Sequence, residues 1–141
     1  INVSDILDLK GQQLMQLPDM RHVCTQGLDI SETQLKSLKG CPETIGGSFN
    51  CSHTPLESLE DGPQVVNGAY YACNTNIRNL KGVAQEVSGS FDFDTSKLES
   101  LEGAPPEETI YFYHTPLAEQ YPDGSVRVSE WQEEQEQAME R

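Results

Sequence analysis

Asp92 and Asp94 stand two positions apart, so both carboxylates could reach one cation from a single strand. No third ligand is readable beside them, and no metal site is expected. His53 and His114 share a His-Thr-Pro tripeptide but lie three repeats apart. At strand spacing that is roughly 14 Å, too far for one ion bound through ~2 Å bonds. His22 has no partner in the sequence. Cys73 and His53 offer a nucleophile and a base in consecutive repeats, yet a reactive thiol needs electropositive surroundings. This chain has 23 acidic against 9 basic residues and a formal net charge of −14. Asp29, Asp92 and Asp94 could be paired for glycoside cleavage, but the abundance of acids makes any such choice arbitrary. Gly-x-Ser-x-Gly, Walker and His-Glu-x-x-His motifs are absent, as are calcium-binding Gly-rich nonapeptides. The chain is therefore expected not to be an enzyme and to need no cofactor.

The elements that position these residues follow from a 21-residue periodicity. Leu14, Leu35, Leu56, Ile77, Leu98 and Leu117 open successive lines, and Leu17, Leu38, Leu59, Leu80 and Leu101 follow three residues later. Within each line comes an apolar pair two residues apart: Leu28/Ile30, Phe49/Cys51, Tyr70/Ala72, Phe91/Phe93 and Ile110/Phe112. Leu7/Leu9 and Val126/Val128 extend the series at either end. A period of two marks a strand with one buried face. The candidate strands keep one spacing from Leu7 through Phe91, and the two intervals after that are shorter. All these intervals are too long for hairpin turns, and no helical pattern of period 3.6 lies within them. The remaining solution is a coil: one short strand per turn, a return path, and the next strand stacked in parallel ~4.8 Å away. Gly40, Pro42, Gly62, Pro63, Gly82 and Gly103 suit the return paths, and Gly47, Gly68 and Gly89 recur just before their strands. They predict a repeated tight bend or positive φ.

On such strands the residues between the buried pairs form an outward face. One column reads Asp8, Asp29, Asn50, Tyr71, Asp92, Tyr111 and Arg127; its neighbour reads Lys10, Ser31, Ser52, Cys73, Asp94, Tyr113 and Ser129. Tyrosines are rigid anchors at binding surfaces, and carboxylates add electrostatic selectivity. The residues expected to bind a partner are Asp29, Asn50, Tyr71, Asp92, Asp94, Tyr111 and Tyr113, and the partner is a protein with a basic patch.

The run Phe49-x-Cys51-x-x-Thr54-x-Leu56-x-x-Leu59 resembles the L-x-L-x-x-N-x-L-x-x-L signature of leucine-rich repeats, in the short bacterial form found in secreted effectors. The unit L-x-S-L-x-G-x-P-x-x-V-x-G-x-F also resembles a repeat of bacterial and phage proteins. The resemblance covers residues 7–128. It departs at the Asn position, where Thr33, Thr54, Thr75, Ser96 and Thr115 stand; a hydroxyl continues a ladder less completely than a carboxamide. The expected fold is a β-rich solenoid, leucine-rich-repeat-like with a β-helix as the close alternative. It stacks about six 21-residue coils with one parallel sheet and a C-terminal capping helix.

Residues 1–128 form the solenoid with its N-terminal cap, and 129–141 an acidic capping helix or tail. Ser129 with Gln132 reads as a capping box, Trp131 as a lid over the last coil, and Arg141 as a charge suited to the helix C-terminus. Uncovered solenoid ends expose apolar residues and unpaired edges, so a lid is required. Cys24, Cys41, Cys51 and Cys73 have no zinc-type spacing, and no signal-peptide pattern opens the sequence. Reduced thiols in a cytoplasm are expected, in the host if the chain is phage-encoded. A charge of −14 disfavours direct binding to nucleic acid or anionic membrane. The expected function is a non-enzymatic protein-interaction module. The alternative is a phage-encoded acidic inhibitor of a host defence or nucleic-acid-binding protein, with a nucleic-acid mimic as one form.

Overall fold

The computed structural model describes residues 2–140. The chain is a β-solenoid of about five coils with a mostly parallel sheet and one C-terminal helix. Its main ladder is built from β1 (Asn2–Asp8), β2 (Cys24–Asp29), β4 (Phe49–Asn50), β6 (Tyr70–Tyr71), β8 (Phe91–Asp92) and β9 (Thr109–Tyr111), all parallel. A second ladder, which the apolar pairs do not reveal, runs through β3 (Thr44–Ile45), β5 (Val65–Val66) and β7 (Glu86–Val87). The long β2 pairs with both, Thr25 opposite Ile45 and Leu28 opposite Phe49.

Later coils break where the first runs straight, and glycine is the reason. A Cβ at Gly68 or Gly89 would stand 2.7 or 2.9 Å from backbone atoms of the coil beneath. Consecutive bends approach too closely for any side chain. Close approach rather than positive φ therefore explains these two recurrent glycines.

The inward residues form continuous columns. Leu35, Leu56, Ile77 and Leu98 are fully buried, as are Leu38, Leu59, Leu80 and Leu101. Above the strands lies an aromatic column: Phe49 to Tyr70 at 5.1 Å edge-on, then Tyr70 to Phe91 at 5.8 Å and to Phe93 at 5.9 Å, both stacked. The Tyr70 hydroxyl is buried in this column without a hydrogen-bond partner.

The turn after each strand repeats one device. Glu32, His53, Asn74, Thr95 and His114 all take positive φ, between 55° and 61°. The residue that follows is in each case a hydroxyl, Thr33, Thr54, Thr75, Ser96 or Thr115. Its Oγ1 donates back to the carbonyl three residues earlier: Thr33 to Ile30 (2.8 Å), Thr54 to Cys51 (2.8 Å), Thr75 to Ala72 (2.9 Å) and Thr115 to Phe112 (2.6 Å). The hydroxyl thus closes its own turn instead of bridging to the next coil. Ser96 breaks the series: its buried Oγ has no partner.

On the return path the charges alternate from coil to coil. Lys36, Glu57, Arg78 and Glu99 occupy one position, Lys39, Glu60, Lys81 and Glu102 another. Arg78 reaches Glu99 at 3.4 Å and Lys81 reaches Glu102 at 3.7 Å. Stacked like charges would repel, and the alternation removes that repulsion.

The C-terminal end corrects two expectations. The strand at Val126 is not another parallel rung. β10 (Ser125–Arg127) runs antiparallel to β9, with Val126 opposite Ile110. The segment from Phe112 to Val126 is too short for a coil, so a 3₁₀ turn at Pro116–Glu119 sends the chain back along the edge it has just made. Nor does Ser129 cap the helix. α1 (Val128–Met139) already includes it, and the flanking Arg127 makes no side-chain cap. The first helical N–H groups are satisfied by the last coil, Val128 to the Glu108 carbonyl (2.9 Å) and Ser129 to that of Pro106 (3.0 Å). Trp131 and Tyr121 pack against the core, as a lid requires, and the Tyr121 hydroxyl bonds Glu134. Arg141 lies outside the described residues.

Two stability tests follow from the buried hydroxyls. Thr75→Val should lower unfolding free energy by about 1 kcal/mol, whereas Ser96→Ala, which removes an unpartnered hydroxyl, should leave it unchanged or raise it. Tyr70→Phe should stabilise by about 1 kcal/mol for the same reason. Urea unfolding of the three variants against the parent checks both.

Candidate functional site

The parallel register assembles the expected outward column. Asp8, Asp29, Asn50, Tyr71, Asp92 and Tyr111 are successive Cα partners. Arg127 does not continue it: the antiparallel β10 sets Ser125 opposite Tyr111 and Arg127 opposite Thr109. Ser129 is likewise removed from the second column by its place in α1.

The members differ in how free they are. Ser31 and Ser52, expected to be exposed, are buried. Both are held by the preceding column. Asp29 Oδ1 accepts the Ser31 N–H (3.0 Å) and hydroxyl (2.5 Å), and Asn50 Oδ1 accepts the Ser52 N–H (3.0 Å). Ser52 Oγ in turn accepts the Cys73 N–H at 3.0 Å. Asp29 and Asn50 therefore each commit an oxygen to shaping the strand end, the short-range bonding these side chains favour.

The remaining five expected residues come together over three rungs. Tyr71 lies beside Asp92, and Asp92 beside Tyr111, on the first column. Asp94 and Tyr113 flank them on the second, where Asp94 Oδ1 accepts the Tyr113 N–H at 2.7 Å. Tyr111 and Tyr113 are 39% and 48% exposed, large rings left open on a sheet whose other face is sealed. A groove of about 380 Å³ adjoins this cluster, lined by Lys10, Glu32, Asn50, His53, Tyr71 and Cys73 among others.

Electrostatically the centre of the cluster is Asp92. Burial first, then a hydrogen bond with Asp94 and that neighbour's charge, push its carboxyl up to about 6. The N–H of Asp94 favours the charged form, yet Asp92 Oδ1 is shut off from solvent and accepts no hydrogen bond of ordinary geometry among the described residues. Burial, and then the charge of Asp92, push the Cys73 thiol up to about 11. At neutral pH it is protonated, the opposite of an activated nucleophile, which removes support from a Cys73–His53 pair. His53 and His114 instead share a turn role: both are exposed at positive φ, a conformation in which His is enriched.

Cys73 belongs to this cluster and was not among the expected binding residues. Its signal was its place in the second column, between Ser52 and Asp94. Its Sγ lies with carboxylate oxygens of Asp92 and Asp94 in one group, each atom within 4.8 Å of the others.

A larger cleft of about 960 Å³ lies on the return side of the first coils, lined by Met15, Asp19, Arg21, Lys36, Lys39 and Glu43 among others. Its charges are mixed and partly spent: Arg21 grips Asp19 through two bonds of 2.9 Å, which hold that carboxyl well below the usual range. The other three cysteines are also free, and burial pushes the Cys41 thiol up to about 12. No protein-family model, curated protein or solved structure matches this chain.

The raised Asp92 pKa has a definite sign for stability. Between the ordinary value of 3.8 and about 6 the folded chain holds a proton that the unfolded chain has released, so stability falls as pH rises through that window. Asp92→Asn has no proton to lose. It should match the parent below about pH 4 and exceed it by about 1 kcal/mol near pH 7, after allowance for solvent screening of a partly exposed group. Thermal unfolding across that range is the measurement.

Proposed function

We propose that this chain is a non-enzymatic protein-interaction module that binds a partner carrying a basic patch through the Tyr/Asp face of its sheet. The observation that supports this most is the cluster of Tyr71, Asp92, Asp94, Tyr111 and Tyr113 on adjacent rungs, with two rings open to solvent around an acidic pair. Asp92 and Asp94 form no ion pair with a basic side chain among the described residues. An unneutralised acidic pair attracts a cationic partner, and the surrounding rings supply apolar area and a stacking surface for a guanidinium. Asp29 and Asn50 extend the face toward the N-terminal coil. The solenoid architecture fits this role, since stacked coils give extended binding surfaces. The free thiols suit a reducing compartment, for which we propose the cytoplasm. No described helix is long and apolar enough to cross a membrane.

The second reading is an acidic inhibitor of a host defence or nucleic-acid-binding protein, encoded by a phage. The net charge of −14 and the exposed glutamates of α1 favour it. The return path weighs against a nucleic-acid mimic, because Arg78 and Lys81 interrupt the acids where an unbroken run would be needed.

Replacing Asp92 and Asp94 by Lys together with Tyr111→Ala should release the bound partners in pulldowns from extract, a loss of about 2 kcal/mol or more per hot-spot side chain. Glu57→Lys with Glu60→Lys, a charge change on the return side, should keep them. Retention of every partner by the first variant would refute this face as the site. Loss with the second variant alone, accompanied by salt-sensitive displacement of DNA from a captured protein, would favour the inhibitor.

A further inference from the structure

We propose that Cys73, Asp92 and Asp94 form a binding site for one divalent cation of zinc type, with a thiolate and two carboxylates as ligands. Cys73 comes from the turn after β6, Asp92 from β8 and Asp94 from the turn after β8, so the site bridges two adjacent coils. The three ligand atoms lie within 4.8 Å of one another. Ligands on a tetrahedral zinc stand roughly 3.6 Å apart, from Zn–S and Zn–O bonds of about 2.3 and 2.1 Å, so a small side-chain rotation closes the set.

A separate observation points to a cation here. Along this column Asp29 and Asn50 each receive a backbone N–H at 3.0 Å, but the equivalent oxygen of Asp92 is sealed from solvent without such a bond. A solvent-sealed carboxylate oxygen without a hydrogen bond of ordinary geometry, beside a second carboxylate, is one that a bound cation would satisfy. No described basic side chain supplies it through an ion pair. Asp94 is already aimed: its Oδ1 holds the Tyr113 N–H at 2.7 Å, which leaves Oδ2 for the ion and fixes the ligand's orientation.

The donor set selects the metal class. Calcium and magnesium take oxygen ligands throughout, whereas a thiolate with carboxylates suits zinc and its neighbours. Cys73 is a thiol at neutral pH, so binding forms the metal–sulfur bond and releases its proton to solvent, with no change of oxidation state. All three residues are partly exposed, so the fourth position opens to solvent.

The site does not rest on the proposed partner-binding reading: a bound ion would neutralise the acidic pair, so ion and basic partner are alternative occupants of Asp92 and Asp94, and the ion is tested without a partner. The full chain, freed of metal by a chelator, is titrated with Co²⁺ and Cd²⁺ while thiolate-to-metal charge-transfer absorption is followed, and Zn²⁺ is then added as competitor. The expected result is a saturable band at one ion per chain, displaced by Zn²⁺, with about one proton released. The band should vanish in Cys73→Ser, weaken about tenfold or more in Asp94→Asn, and persist in Cys24→Ser, which alters the exposed thiol. Absence of the band, its survival in Cys73→Ser, or its loss in Cys24→Ser would overturn the proposal. Should Cys73→Ser fail to fold, Asp94→Asn decides, since its amide oxygen still accepts the Tyr113 N–H; unchanged affinity there is equally fatal.

Discussion

Everything in this molecule depends on coils that keep one register. Because the coils from Leu7 to Phe91 match in length, and the next is shortened without loss of register, each inward side chain lies over its counterpart one coil earlier, and alternate strand N–H groups meet carbonyls of the next coil. The regularity is visible in the hydrogen bonds: Ile30 to Asn50 at 2.9 Å, Cys51 to Tyr71, Ala72 to Asp92 and Phe93 to Tyr111 at 2.8 Å. The same register aligns the buried leucines and stacks Phe49, Tyr70 and Phe91. A single inserted residue would turn the buried face outward in every later strand it shifted. The outward cluster inherits its order from this constraint, because Tyr71, Asp92 and Tyr111 are neighbours only while the coils keep step.

Much of this was legible because stacking forces like residues to recur at one spacing. The inner pairs and return-path leucines are all apolar, and the period places them in the columns that the coils bury. What stayed hidden depends on things a period does not encode. Ile45, Val66 and Val87 recur once per coil at one fixed place, yet a single apolar residue per turn has no alternation to mark it as a strand, so the second ladder was missed. The shortened spacing before Val126 signalled that something changes but not that the chain reverses. Ser129 looked like a cap because it precedes a polar run with Gln132. The helix start is instead fixed by carbonyls of Pro106 and Glu108, a tertiary match with no local signature.

The outward face shows the same division. Column membership followed from the register, whereas burial did not. Ser31 and Ser52 are small enough to be covered by their neighbours and tied to Asp29 and Asn50. Cys73 was read as a poor nucleophile, and its place beside Asp92 and Asp94 became apparent only when two coils were laid together. A site assembled between successive turns is written as residues a whole repeat apart, and the grouping emerges from the stack.

The return-path charges give the solenoid a longer rhythm than its backbone. Sterically one coil equals the next, but electrically Lys36 matches Arg78 and Glu57 matches Glu99, so the true unit cell is a pair of coils. Duplicating a single coil would set two like-charged rows face to face, while duplicating a pair would restore the pattern. Growth or shrinkage of such a molecule by recombination should therefore favour even steps.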